Sequence, residues 1–159
     1  MPNTPDFVPS RSSPSRSATA HERGQQLSVW KSFRPRSTPH PAALTLANER
    51  VIFVSGIGGH REDGTIGESA AEQARQTIAN IENLLKREGS GLDEVVCISP
   101  YLVDINDIDA LTAAVSDAFG DAPPAAAALV ADVVLASPDM KVELEAVAVR
   151  GASRELVES

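Results

Sequence analysis

From Pro41 onward the apolar residues fall into short runs separated by turn-forming residues, and each run has its own period. Ala43 to Leu46 and Val51 to Ser55 flank Ala47-Asn48-Glu49-Arg50, a pattern that predicts a hairpin. A glycine-rich loop follows from Gly56 to Gly67. Between Glu68 and Arg87 the composition favours helix. Ala71, Ala74, Ile78, Ile81 and Leu85 recur three or four apart, which puts them on one face. Gly89 ends that helix, as a residue able to take positive φ does. Val95 to Val103 predicts a strand apolar enough to be largely buried. Asp104 or Asn106 is placed to cap a second helix, whose face is Ile108, Leu111, Val115 and Phe119 and whose stop is Gly120. Pro123-Pro124 forces an extended entry into the apolar run Ala125–Leu135, and Val142 to Val149 alternates as a final strand.

The predicted order is β-β-α-β-α-β-β, an α+β fold with two helices packed on one mixed sheet. Residues 1–40 form a Pro/Ser/Arg-rich leader without an apolar period, expected to be flexible; residues 41–150 form the domain and 151–159 a tail. Leu27, Val29, Trp30 and Phe33 make a short apolar island in the leader, able to dock on the body. Two helices cover only one face of a sheet. Apolar residues on both sides of Val95–Val103 and Ala125–Leu135 predict that the other face is covered too, and with no helix left the cover must come from other subunits.

Composition narrows this picture. Hydrophobic residues make up 42% of the 159 and aromatics only 4%, so the core must be built from Val, Ile, Leu and Ala. The single cysteine, Cys97, excludes an internal disulfide framework and fits a reducing, cytoplasmic setting. No apolar run approaches the roughly 18 residues needed to span a bilayer. A net charge of −8 argues against general nucleic-acid binding, which needs a cationic face. The charge is unevenly spread. Residues 1–40 hold six Lys/Arg and two Asp/Glu, or +4, while the remainder holds eight and twenty, or −12. A basic arm on an acidic body either folds back on its own or a neighbouring subunit, or is solvated.

Several motifs bear on chemistry. Val51-Ile-Phe-Val-Ser-Gly-Ile-Gly-Gly59 resembles the start of a dinucleotide-binding fingerprint, but that site needs a helix opening at the glycines, and here Arg61 and a loop follow. The glycines instead let the backbone turn and offer amides to a ligand oxygen. His21, His40 and His60 lack metal-ligand spacing, and Cys97 lies mid-strand, so a metal site is not expected. Ser55 lacks the Gly-x-Ser-x-Gly context of a nucleophile elbow. Glu143 and Glu145 share one face of the last strand by period two. Either that face is solvated, or a glutamate at a subunit cleft positions water or acts as general base.

These pieces occur, in order, in the RidA/YjgF family of imine deaminases, which the chain resembles over about a hundred residues. Val51–Gly56 looks like the family's signature strand. Gln73, Asn80, Leu85 and Gly89 match its first helix, Gly89–Val96 its next turn, and Tyr101-Leu-Val-Asp104 with Phe119 the following strand and helix. Val142-Glu-Leu-Glu-Ala-Val-Ala148 resembles its closing strand. The resemblance implies a chorismate-mutase-like fold, a homotrimer with ligand clefts between subunits, and hydrolysis of amino-acid-derived imines or enamines without a cofactor. It implies that Ser55 and Gly56 line the cleft and that Glu143 orients water.

The chain also departs from the pattern. The family's carboxylate-holding arginine, two residues after the proline that opens the penultimate strand, is Ala126 here, within Ala125–Ala128. Thr112 stands where the resemblance places an asparagine, and Ala42 falls near an expected tyrosine. About two extra residues between Pro124 and Glu143 predict a bulge or an altered cleft rim. Arg61 is the candidate replacement cation; Arg61–Ile66, with Arg34-Pro-Arg36 and Pro39-His40, resembles the aminomuconate deaminase branch. The basic arm, through Arg34 or Arg36, is another source. The functional expectation is a homotrimer with a small-molecule cleft acting on an imine or enamine. The alternatives are a non-catalytic trimer that senses a metabolite or binds a partner, and a tailoring enzyme of specialised metabolism. Neither nucleic acid nor membrane is expected as a partner.

Overall fold

The computed structural model describes residues 50–120 and 123–152, together with the backbone of 31–33 and 43–45. The rest of the leader, most of the apolar island, the turn at Ala47–Glu49 and most of the tail lie outside the described residues.

Six strands form one sheet: β1 (Lys31–Phe33), β2 (Ala43–Thr45), β3 (Val51–Gly58), β4 (Val95–Leu102), β5 (Ala125–Ala126) and β6 (Val142–Val149). Their order across the sheet is β1-β2-β3-β6-β4-β5, antiparallel throughout except for the β4–β5 pair. The hairpin is present as β2 paired with β3. β1 is an addition that the apolar pattern did not predict; it extends the sheet by pairing with β2.

The helices are α1 (Ala70–Arg87) and α2 (Ile108–Phe119). A capping box starts α1: the Ser69 side chain accepts from the Glu72 amide, and the Glu72 carboxylate accepts from the Ser69 amide. Gly89, at φ +69°, follows its end. Its buried stripe contains Ala74, Ile78, Ile81 and Leu85 as expected, with Ala71 at the margin. It also holds the polar Gln73 and Thr77, both fully buried. Asp104 accepts from the Asn106 amide and opens a 3-10 turn, Ile105–Asp107, that leads into α2. On α2 the core-facing residues are Leu111, Ala114 and Phe119, while Ile108 in the first turn is exposed.

Both helices pack on the same face of the sheet. Ile52 and Val54 of β3, Ile98 and Leu102 of β4, and Val142, Leu144, Ala146 and Ala148 of β6 meet them in one core. The intervening residues of these strands point the other way, as the two-residue period requires. On β6 this leaves Glu143, Glu145, Val147 and Val149 only half-buried, and on β3 it leaves Phe53 exposed. Among the described residues, nothing covers this second face.

The run Ala125–Leu135 is not the long strand its composition suggests. Only Ala125–Ala126 pairs as a strand, followed by one bridge from Val130 to Tyr101. From Ala126 to Val130 the chain takes four steps, while its partner takes three, from Ile98 to Tyr101. That extra residue breaks the parallel register, the irregularity expected from the long segment. Asp132 turns the chain with φ 56°, and Val134 is left 99% exposed. No helix of the described residues is long and apolar enough to cross a membrane.

Candidate functional site

The ladder fixes which side chains meet on the open face, because directly paired residues point to the same side. One row runs Ala125, Cys97, Val147, Phe53. The next pairs Ser99 with Glu145. The third runs Val130, Tyr101, Glu143, Gly58. The face therefore changes from apolar at one end to acidic and hydroxylic at the other.

β3 interrupts this pattern at the middle row. Val54 pairs with Ala146 and Ile57 with Leu144, so three steps on β3 oppose two on β6. The extra residue makes Ser55-Gly56 a bulge beside Glu145 and swings Gly56 toward Glu143. A Cβ at Gly56 would lie 2.8 Å from Glu143 Cδ, so only a glycine leaves room for that carboxylate. Ser55 is half-buried in the same bulge.

The Tyr101 hydroxyl crosses diagonally and donates to Glu145 Oε2 at 3.0 Å. That hydrogen bond, the charge of Glu145 and the further charge of Glu143 hold the phenol above its ordinary range. It therefore remains a protonated donor at neutral pH, with Glu143 directly across the strand from it.

Two amides of α1 hold the loops around the site. Gln73 Nε2 donates to Gly67 O at 2.7 Å and to Asp139 O at 2.8 Å, and its Oε1 accepts from the Lys141 amide at 2.7 Å. One buried side chain thus ties the end of the glycine-rich loop to the entry of β6, two residues before Glu143. Asn80 Nδ2 donates to Gly58 O at 3.0 Å and to His60 O at 2.8 Å, which fixes the exit of β3. Gly59 lies flush on α1: a Cβ there would be 2.7 Å from the Gln73 backbone. The sequence marks Gln73 only through the resemblance of the first helix; its burial and its three partners come from the structure.

The residues singled out from sequence are dispersed. Ser55, Gly56 and Glu143 come together on the open face. Ala126 is exposed on β5, but it pairs with Ile98, whose side chain faces the helices; Ala125 and Val130 are the residues of that segment on the Glu143 side. Thr112 is exposed on α2, in the layer on the opposite side of the sheet from Glu143 within one subunit. Arg61 sits on an exposed loop closed by its own amide to Thr65 O at 2.8 Å, and its Nη1 donates to Thr65 Oγ1 at 3.4 Å. Its guanidinium is thus turned back on its own loop. Cys97 is half-buried on the open face. Among the described residues, no group of three or more His, Cys, Asp or Glu is placed to hold a metal ion.

Comparison with known proteins adds a family context. The family model described as Endoribonuclease L-PSP matches residues 35–150. A RutC family protein of Pyrococcus abyssi is 34% identical over 112 residues, 69% of this chain and 85% of that protein. The human 2-iminobutanoate/2-iminopropanoate deaminase is 31% identical over 113 residues, 70% of this chain and 81% of that one. Among solved structures, a YjgF family member from Neisseria meningitidis superposes with a TM-score of 0.66 at 28% identity, covering 79% of this chain and 98% of the other. The YjgF gene product of Escherichia coli gives 0.64 at 25% identity over 72% and 90%.

Proposed function

The chain belongs to the Endoribonuclease L-PSP family, which includes RidA/YjgF proteins, and from that membership we propose that it is a homotrimer hydrolysing an imine or enamine in a cleft between subunits. The observation that carries this reading is the bulge on β3, which sets Gly56 against the Glu143 carboxylate beside Tyr101 on the open face. Curated relatives named as 2-iminobutanoate/2-iminopropanoate deaminases, at 31–32% identity, supply the substrate class.

The chemistry needs little machinery. Water adds to the carbon of C=N while the nitrogen takes up a proton; the resulting carbinolamine then breaks its C–N bond, giving a carbonyl and ammonia. Glu143 orients the water and takes its proton. Ser55 and the Gly56 amide hold the oxygen as it forms. The Tyr101–Glu145 pair keeps a proton donor beside Glu143. Reversible proton transfer within this row requires no cofactor.

The open face supports the subunit arrangement. Phe53, 43% exposed, and the half-buried Val147, Val149 and Cys97 leave an apolar end that a second copy would cover. The ribonuclease in the family model's description is a poor guide to this face, because Glu143 and Glu145 would repel phosphate.

Ammonia release from freshly generated 2-iminobutanoate tests the reading. The wild type is expected to accelerate release, and Glu143→Gln to lower kcat by about 10²–10⁴-fold while keeping the fold. Unchanged turnover in Glu143→Gln removes Glu143 from the mechanism. A non-catalytic trimer that binds a metabolite, or a tailoring enzyme on the same fold, is the second reading. It is favoured by the exposed and uncharged Ala125–Ala128, and tight ligand retention without turnover would select the non-catalytic form.

A further inference from the structure

A 2-imino acid carries a carboxylate next to its C=N carbon, and that charge needs a cation near Glu143. The described cations can be placed one by one. Arg75, Lys86 and Arg87 lie on α1, on the other side of the sheet. Arg61 is turned back onto Thr65. Arg50 and Arg150 lie at the far end of β3 and β6, where the Arg150 amide donates to Arg50 O at 2.7 Å and its guanidinium donates to Glu88 O. Within one subunit, that leaves Lys141 among the described residues.

Lys141 precedes β6 by one residue, and its backbone is held on both sides. Its carbonyl accepts from the Val103 amide at 3.0 Å, and its own amide donates to Gln73 Oε1 at 2.7 Å. Burial alternates through this join, with Met140 and Val142 buried and Lys141 half-buried between them, so the period of two that places Glu143 and Glu145 on the open face extends back to Lys141. Two residues of strand separate the Lys141 and Glu143 Cα atoms by roughly 6.6 Å. A half-buried lysine with its flexible four-carbon stem spans that distance easily.

We infer that Lys141 holds the carboxylate of a 2-imino acid while Glu143 works on its C=N carbon. This rests on the deaminase reading of the same site. It supplies the cation from the start of β6 and not from the β5 edge, where Ala125–Ala128 carry no charge. The Gln73 hydrogen bond to the Lys141 amide anchors the backbone from which that side chain extends.

The test compares steady-state kinetics on 2-iminobutanoate for wild type, Lys141→Gln, Lys141→Arg and the surface control Lys86→Gln. Losing a charge-assisted contact to the substrate is expected to raise KM roughly 10- to 100-fold in Lys141→Gln. kcat should stay within about threefold. Lys141→Arg is expected to restore KM, and Lys86→Gln to match wild type. An unchanged KM in Lys141→Gln overturns the assignment even if the enzyme is an active deaminase. If wild type releases no ammonia, the deaminase reading fails by itself, and calorimetric titration with 2-oxobutanoate then decides about Lys141. A Kd raised at least about tenfold in Lys141→Gln keeps it as the carboxylate site. Equal Kd values, or no binding to wild type, overturn it.

Discussion

At Gly56 one methyl group decides whether the Glu143 carboxylate keeps its place. The atoms that a Cβ would meet belong to the flexible end of a side chain, so the carboxylate moves and the backbone does not. Gly56→Ala is therefore expected to change stability by less than about 1 kcal/mol while lowering kcat at least tenfold, read by thermal melting beside ammonia release. Equal losses of both would assign the glycine to folding. Glu94 illustrates a different effect. Hydrogen bonds from the Ser90 hydroxyl and then the Gly151 amide hold its carboxyl below the usual range, so folding favours the ionised form. That stabilisation is complete above the unfolded value of about 4.3 and disappears as pH falls through the lower folded value. Melting curves from pH 6 to pH 3 should fall less steeply for Glu94→Gln than for wild type.

At the scale of elements, the helices and the last strand were legible because burial and period agree. Ala74, Ile78, Ile81 and Leu85 on α1 and the alternating residues of β6 sit where their spacing puts them. The run Ala125–Leu135 misled because apolar composition does not distinguish a buried strand from an edge segment with an extra residue. Gln73 shows the complementary difficulty. It lies beside Ala74 on the buried stripe although it is polar, and its partners at Gly67, Asp139 and Lys141 are up to 68 residues away in sequence. Gln73→Met keeps its length and removes every polar contact. It should destabilise the fold by at least about 2 kcal/mol in denaturant titration, since buried backbone groups lose their partners. An unchanged midpoint would mean that water replaces the amide there.

At the scale of the whole molecule, the described residues cover the sheet on one side only. The helices and the core between them account for one face, and the open face carries both the apolar end around Phe53 and the Tyr101–Glu143–Glu145 group. The proposed assembly and the proposed chemistry both use this surface, as a cleft shared by two subunits requires. Of the residues singled out from the chain, Ser55, Gly56 and Glu143 converge on one face of the sheet, while Arg61 and Thr112 do not join them within one subunit. Lys141 escaped notice because it falls just before a strand whose glutamates attract attention first. A crystal structure with 2-oxobutanoate bound tests the account most directly. The account predicts three subunits around the open faces, the ketone oxygen within hydrogen-bond reach of Glu143 and the Gly56 amide, and the carboxylate on Lys141. A ligand seated on the helix side, or a monomer whose open face stays in solvent with no ligand, would contradict it.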